Sequence, residues 1–515
     1  MRTIDFSRTR PCLPILTAGL VMAACASSPS WKTGQNASGW QANSDGSALQ
    51  MSSYVFRADA LRRQPIVRRA AGIVQATEQM ARTWYLDPFV RPISTGKALY
   101  AVVFKSSTGF VQRLSIDVVQ FPLLEQTAVP PVGNQPGMNL HEWENDLDRI
   151  LGAPSSNGRI EFLIDGHEYF PRLENAIHNA QESIHVRTYI FDNDDYAVRV
   201  ANLLKIRSKD IDVKVLLDGF GALLGTQTDP ENMPANFSPP LSMQNHLRSG
   251  SRVKVRTHTN PWFTGDHVKS TIVDGKLAFV GGMNIGREYR YDWHDMMMAV
   301  TGPVVTILQQ DSDKAWNRAS LLGDFAVAAH LLTRGESQAQ TQGYPIRALF
   351  TREHDSQIYR AQLEATRRAQ SYIYVENPYI SDDRMLYELA RARRRGVDVR
   401  VILPTDGNHE TMNRSNKIAI NTMLKNGIRV YLYPGMTHIK AAVYDGWACT
   451  GSANFDKMSL EINKELNLST SDRDTVNTLL ERLFIPDMER SEELYTALET
   501  NWTHRLAEIV ADEML

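Results

Sequence analysis

The chain has 515 residues, 43% apolar and 22% charged, with a formal net charge of −2. That length exceeds one ordinary core and implies two or three domains in a folded globular protein. The near-zero charge excludes a chain that is basic overall, although one basic groove can sit inside a neutral total.

Arg2, Arg8 and Arg10 precede the apolar run LPILTAGLVMAAC, Leu13 to Cys25. A positive start, a short apolar region and small residues before a cut read as a secretory signal, too short to span a bilayer. The end, VMAAC, resembles a bacterial lipobox, with Met22 where Leu is usual. This reading makes residues 1–24 the signal peptide and Cys25 the lipidated first residue; the alternative is a cut elsewhere, with Cys25 incidental. Ala26, not Asp, follows the cysteine, which by lipoprotein-sorting rules implies the periplasmic face of the outer membrane. Residues 25–50 are polar and small, a flexible tether without periodicity. Cys12 lies in the signal and Cys25 at the anchor, so Cys449 is alone in the mature fold and no internal disulfide is possible. No other window approaches 18 consecutive apolar residues, so no transmembrane helix is expected.

Residues 51–140 read as a small α+β accessory region. RADALRRQPIVRRAAGIVQATEQMARTWYL gives one or two helices, broken or begun at Pro65. Its Arg62, Arg63, Arg68 and Arg69 form a solvated face, or alternatively a contact for anionic head groups. ALYAVVFKS and QRLSIDVVQF alternate around a turn and predict a hairpin. A Pro/Gly-rich linker, AVPPVGNQPGMN, ends at Asn139.

From Gly158 onward, β-branched runs alternate with helical patterns, which predicts an α/β fold with both sheet faces covered. The pattern then repeats. SIHVRTYIFDNDDYAVRVANLL, from Ser183, is matched by SYIYVENPYISDDRMLYELARA, from Ser371. In each copy an Asp pair, Asp194-Asp195 and Asp382-Asp383, stands ready to cap the next helix. The expectation is two tandem duplicated lobes with mixed sheets flanked by helices, at 156–335 and 340–515.

Each lobe carries one extended polar motif. The first is HVKSTIVDGKLAFVGGMN, with His267, Lys269, Asp274 and Asn284; the second is HIKAAVYDGWACTGSAN, with His438, Lys440, Asp445, Ser452 and Asn454. Each reads strand, tight Asp-Gly turn, strand. Residues i and i+2 of a strand share a face, so His and Lys project together, the Asn returns beside them, and the Asp sits at the far turn. An imidazole, an ammonium and a carboxamide suit an anionic, oxygen-rich group such as phosphate. Two such clusters facing each other would allow one His to attack phosphorus while the other serves as acid and then base. Two lysines supply the positive charge, so no metal or other cofactor is expected. Asp295, 28 residues after His267, and Glu465, 27 after His438, are assigned as orienters of the imidazoles, each flanked by apolar strand residues that demand a partner.

These paired H-x-K-x4-D stretches resemble the phospholipase D superfamily. GGMNIGREY, the TGPVV after Asp295, and TGSANFDKMSLEINKELNL are most similar to its cardiolipin synthase branch, over residues 156–515. The resemblance implies a metal-free phosphohistidine mechanism with His267, Lys269, Asn284, His438, Lys440 and Asn454 in one site. It implies His267 as nucleophile and His438 as acid/base, and treats Asp274 and Asp445 of the catalytic motifs as supports of their loops. Ser452 and both asparagines are expected to contact substrate. Two departures stand out: the second hairpin is one residue short, so Asn454 is expected to sit slightly off, and two N-terminal spans common in the branch are missing.

The implied activity is phosphatidyl transfer from phosphatidylglycerol or a similar phospholipid to an alcohol, giving cardiolipin. Hydrolysis to phosphatidic acid, a nucleic-acid phosphodiesterase and a vestigial lipid-binding protein are the alternatives. The expected partners are a phospholipid and, through the lipid anchor, a membrane surface; neither nucleic acid nor an obligate protein partner is inferred. His185, His258 and His294 read as structural. Trp262 and Phe263 either line a lipid surface or pack inside, residues 219–243 form a long loop fit for a lid, and Met297-Met298 read as strand core.

Overall fold

The computed structural model describes residues 81–105, 115–222, 233–234, 236–258, 264–332 and 343–514. The signal segment, Cys25, the tether, the arginines at 62–69, Trp262, Phe263 and part of the 219–243 loop lie outside them. No helix of the described residues is long and apolar enough to cross a membrane.

The hairpin expectation is corrected. Pro92–Tyr100 is helical and continues through Ala101–Lys105; Ile116–Gln120 runs into the helix Phe121–Leu124. Between residues 81 and 124 no described residue is in a strand. Within 92–105, Ser94, Thr95, Ala98 and Ala101 are buried, spaced as one helix face. A few alternating apolar residues do not distinguish a strand from a buried helix.

Sixteen strands and the helices between them make up the rest of the described residues. The first lobe holds β1 (Ser156–Ile164), β2 (Ser183–Thr188), β3 (Asp212–Asp218), β4 (Lys254–His258), β5 (Ser270–Val273), β6 (Leu277–Gly281) and β7 (Met296–Thr301). The second holds β8 (Tyr344–Arg352), β9 (Asp355–Ser356), β10 (Tyr372–Glu376), β11 (Asp398–Pro404), β12 (Arg429–Tyr433), β13 (Ala441–Tyr444), β14 (Trp447–Gly451), β15 (Glu465–Thr470) and β16 (Glu492–Leu494). The order β4-β3-β2-β5-β6-β7-β1 in the first lobe is repeated as β12-β11-β10-β13-β14-β15-β8 in the second. In both, three parallel strands meet an antiparallel set, so each half is a mixed sheet. The capping expectation is met: Asp194 accepts from the Ala197 N–H at 2.6 Å and Asp382 from that of Met385 at 2.7 Å, opening the helices Asp195–Arg207 and Asp383–Arg394.

The halves join edge to edge. β1 pairs antiparallel with β8 from Ser156↔Ile346 to Gly158↔Tyr344. The crossing is tight: a β-carbon on Gly158 would lie 3.0 Å from Ile346 Cδ1 of the second lobe. Among the described residues, alternation along the strands then builds three large cores. Phe279, Met297 and Ala299 face the helices of the first lobe, while Ala278, Val280, Met296, Met298 and Val300 face a layer shared with Ile439, Ala441, Val443 and Leu466 of the second. This apolar layer, with the continuous sheet, fixes the lobes against each other. The linker ends on the second lobe, where the Met138 N–H donates to Asp445 Oδ2 at 2.8 Å and Trp143 meets Trp447 edge-on at 5.2 Å.

Candidate active site

The motifs fold as hairpins for local reasons. At the turns, Asp274 and Gly275 have φ of 52° and 62°, and Asp445 and Gly446 have 48° and 96°, the left-handed region that Asp and Gly tolerate. Asp274 Oδ1 accepts from the backbone N–H groups of Glu182 at 2.7 Å and Ser183 at 2.9 Å. Asp445 Oδ1 accepts from Ser371 at 3.0 Å and Tyr372 at 2.7 Å. Both carboxylates therefore staple a turn to the start of a neighbouring strand and stand apart from the histidines.

The missing residue of the second hairpin is lost at this far end. Val273 pairs with Leu277 around a three-residue turn, whereas Tyr444 pairs with Trp447 around two. At the base the registers agree: the Gly281 N–H donates to Lys269 O, and that of Gly451 to Lys440 O. The expected offset of Asn454 therefore has no origin in the hairpin.

The lobe junction brings the two bases together. His267 Nδ1 lies 2.9 Å from Glu465 Oε1, and His438 Nδ1 lies 2.7 Å from Asp295 Oδ2. Each imidazole is thus held by a carboxylate of the opposite lobe. Chain order suggests partners within one copy, Asp295 for His267 and Glu465 for His438; the fold exchanges them. With Nδ1–H donated to a carboxylate, each Nε2 is left as the atom that carries the lone pair. Lys269 Nζ donates to His267 O at 2.8 Å and Lys440 Nζ to His438 O at 2.6 Å.

Burial dominates the electrostatics. It lowers the His267 pKa below the ordinary value against the pull of Glu465, and lowers that of His438 to about 3 despite Asp295. Lys440 also bears on His267, and Lys269 on His438, so the two motifs share one electrostatic environment. Burial brings Lys269 down to about 7 and Lys440 to about 8. Two neutral imidazoles beside two easily discharged ammonium groups make a site that awaits an anion.

The remaining expected contacts are less symmetric. Asn284 Oδ1 accepts from the Ile190 N–H at 3.0 Å and its Nδ2 donates to Tyr289 Oη at 2.8 Å, so it braces an aromatic ring that meets His438 edge-on. Asn454 is buried, hydrogen-bonded to Asp456, with Oδ1 unpartnered. Ser452, expected to touch substrate, is fully buried; its hydroxyl donates to Glu465 Oε2 at 2.5 Å and accepts from the Leu466 N–H. Its hydroxyl is thus engaged by the carboxylate that holds His267. Gly282 is the counterpart in the first motif, where a β-carbon would lie 2.3 Å from Asp295 Oδ1.

Several neighbours carry no sequence signal of their own. Tyr189 meets His267 edge-on at 4.8 Å, and Trp293 lies 5.2 Å from His438. Arg187 pairs with Asp266 and with Asp311, each at 2.7 Å, behind the first motif. Superposing the two repeats in sequence would have drawn attention to one further pair, His294 and Lys464, which stand directly before the crossing acids.

The family described as "Cardiolipin synthase, PLD-like domain" matches residues 173–316 and 363–487. The chain is 27% identical to cardiolipin synthase A of Pseudomonas putida over 376 residues, 69% of this chain and 73% of that one. It is 28% identical to cardiolipin synthase B of Salmonella typhi over 369 residues, 67% and 84% of the two chains. Its fold is similar to that of a phosphatidylserine synthase from Haemophilus influenzae, with a TM-score of 0.57 at 15% identity, covering 73% of this chain and 99% of that one. The chain belongs to the phospholipase D superfamily, in the cardiolipin synthase-like branch that this domain defines, and is an enzyme of that superfamily.

Proposed function

We propose that the enzyme transfers a phosphatidyl group between lipids, taking it from phosphatidylglycerol and delivering it to the glycerol head group of a second phosphatidylglycerol, so that cardiolipin and glycerol are formed. The observation that supports this most directly is the pair of neutral imidazoles, one from each lobe, each anchored through Nδ1 and flanked by a lysine. The cardiolipin synthases among the relatives favour this lipid pair.

In the proposed cycle, His267 Nε2 attacks phosphorus, in the role that the family resemblance implies. A P–N bond forms and the P–O bond to the departing glycerol breaks. His438 gives that oxygen a proton, which it acquires as the anionic phosphodiester enters and favours the imidazolium. The acceptor hydroxyl then loses its proton to His438, attacks phosphorus and releases His267. Lys269 and Lys440 neutralise charge on the phosphoryl oxygens. On this reading Cys25 is lipidated and holds the enzyme at the periplasmic face of the outer membrane, which supplies the substrate in two dimensions.

The test is product analysis of purified protein on phosphatidylglycerol vesicles. Cardiolipin with stoichiometric glycerol is the expected result. Phosphatidic acid alone would replace the transferase reading with hydrolysis.

A further inference from the structure

Immediately before each crossing carboxylate stands a basic residue, His294 before Asp295 and Lys464 before Glu465. Their backbones make the same bridge between lobes. The His294 N–H donates to Met436 O at 3.1 Å, and its carbonyl accepts from the His438 N–H at 2.7 Å. The Lys464 N–H donates to Gly265 O, and its carbonyl accepts from the His267 N–H, both at 2.9 Å. Each dipeptide therefore grips one histidine of the opposite lobe twice, at the backbone N–H and at ring Nδ1.

The side chains repeat the relation. His294 Nδ1 lies 2.7 Å from Asp165, the first residue after β1. Lys464 Nζ lies 2.7 Å from Glu353, the first residue after β8. The His294 ring stacks on Tyr433, the last residue of β12, with centroids 4.7 Å apart; Lys464 Nζ meets His258, the last residue of β4, at 2.9 Å.

Ligand atoms of His294, Glu376 and Asp487 lie within 4.8 Å of one another, a set of metal-binding type. The ring, however, has both nitrogens engaged, Nε2 by Asp487 at 2.9 Å, and so has no lone pair to offer. Burial would lower its pKa, but Asp165 and Asp487 hold it well above the ordinary value. The cluster is a buried imidazolium between two carboxylates, with Glu376 behind it.

We propose that His294 and Lys464 are positioning residues: each is a cationic pin that seats the dipeptide gripping the opposite lobe's catalytic histidine, and the cation, not the bulk of the side chain, keeps that histidine in line with phosphorus. The pin works because its charge must meet partners on separate elements at once, Asp165 and Asp487 for His294, Glu353 and His258 for Lys464, which fixes the depth of the backbone carbonyl. This inference rests on the reading of the site as a phosphatidyl-transfer centre.

The experiment compares His294→Asn, His294→Arg, Lys464→Met and Lys464→Arg in the full chain on phosphatidylglycerol vesicles, with thermal melts to establish folding. The neutral variants should lose roughly 10- to 100-fold in kcat with KM little changed, as expected for a misaligned nucleophile or acid, and the Arg variants should recover most of the loss. Asp165→Asn, at the more exposed end of one pin, should lose several-fold without unfolding. Wild-type kcat in the neutral variants or in Asp165→Asn would overturn the proposal, as would folded Arg variants no better than the neutral ones. If the wild-type enzyme makes no product, the functional reading has failed, and the pin is tested by proton NMR of the His438 Nδ1–H. That downfield resonance should persist in His294→Arg and shift or vanish in His294→Asn; an unchanged resonance in His294→Asn would refute the pin.

Discussion

Asp295 of the first lobe holds His438 of the second, Oδ2 to Nδ1 at 2.7 Å, while Glu465 returns the same service to His267 at 2.9 Å. Neither motif histidine finds its carboxylate within its own lobe. Building the reaction centre across the junction makes its geometry depend on the shared apolar layer, and makes every catalytic pair a test of lobe packing.

Removal of either imidazole should nearly abolish turnover. His267→Ala and His438→Ala are each expected to reduce kcat by about 10³-fold or more, because a nucleophile and an acid/base act as one unit. Asp295→Asn should impair the step that uses His438, by roughly 10²-fold, since an amide no longer fixes the tautomer. Burst kinetics on a phosphodiester with a good leaving group separates the two halves of the cycle. A fully active single histidine variant would dissolve the joint site.

The lysines give the activity an alkaline limb. Burial lowers Lys269 to about 7 and Lys440 to about 8, so both are charged in mildly acidic solution and discharge as pH rises through these values. Because the charged forms bind the phosphoryl oxygens, kcat/KM should fall across this interval, and the fall should move to higher pH in Lys269→Arg. A flat profile from pH 6 to 9 would contradict the assigned role.

Gly282→Ala should be more damaging than its size suggests. The new β-carbon would press on Asp295 Oδ1 at 2.3 Å and push the acid away from His438. The expected loss in kcat is at least tenfold, with modest loss of stability. Ser452→Ala removes the bond to Glu465 Oε2 and the one accepted from the Leu466 N–H, leaves buried polar groups unpaired, and should cost about 1–3 kcal/mol in melting experiments, with a smaller kinetic effect.

Activity should survive strong chelation, since the lysines carry the charge that a metal would otherwise supply. Assay after exhaustive EDTA treatment checks this, and restoration of lost activity by zinc or calcium would refute it.

Cys25→Ser should move the protein from membrane to soluble fractions. Unchanged fractionation would remove the lipid anchor from the proposal.

Much was legible without coordinates. The Asp-Gly turns, the alternation on either side and the i, i+2 placement of His and Lys are local properties, so both hairpins and the duplication follow from the residues themselves. Residues 92–105 and 116–124 are helical where alternation suggests strands, because short alternating stretches obey both periods and burial favours the helix. Ser452 looked available because small polar residues near a phosphate site invite that reading, yet it is spent on Glu465.

The sequence by itself determined which residues make up the candidate site: two histidines, two lysines and two acids at matching distances. Only the tertiary structure decided which acid serves which histidine, because the partners lie 143 and 198 residues apart and meet only where antiparallel β1 and β8 join two like sheets. Spacing along a strand fixes neighbours on one face. It contains no information about a partner delivered by the other half of the molecule.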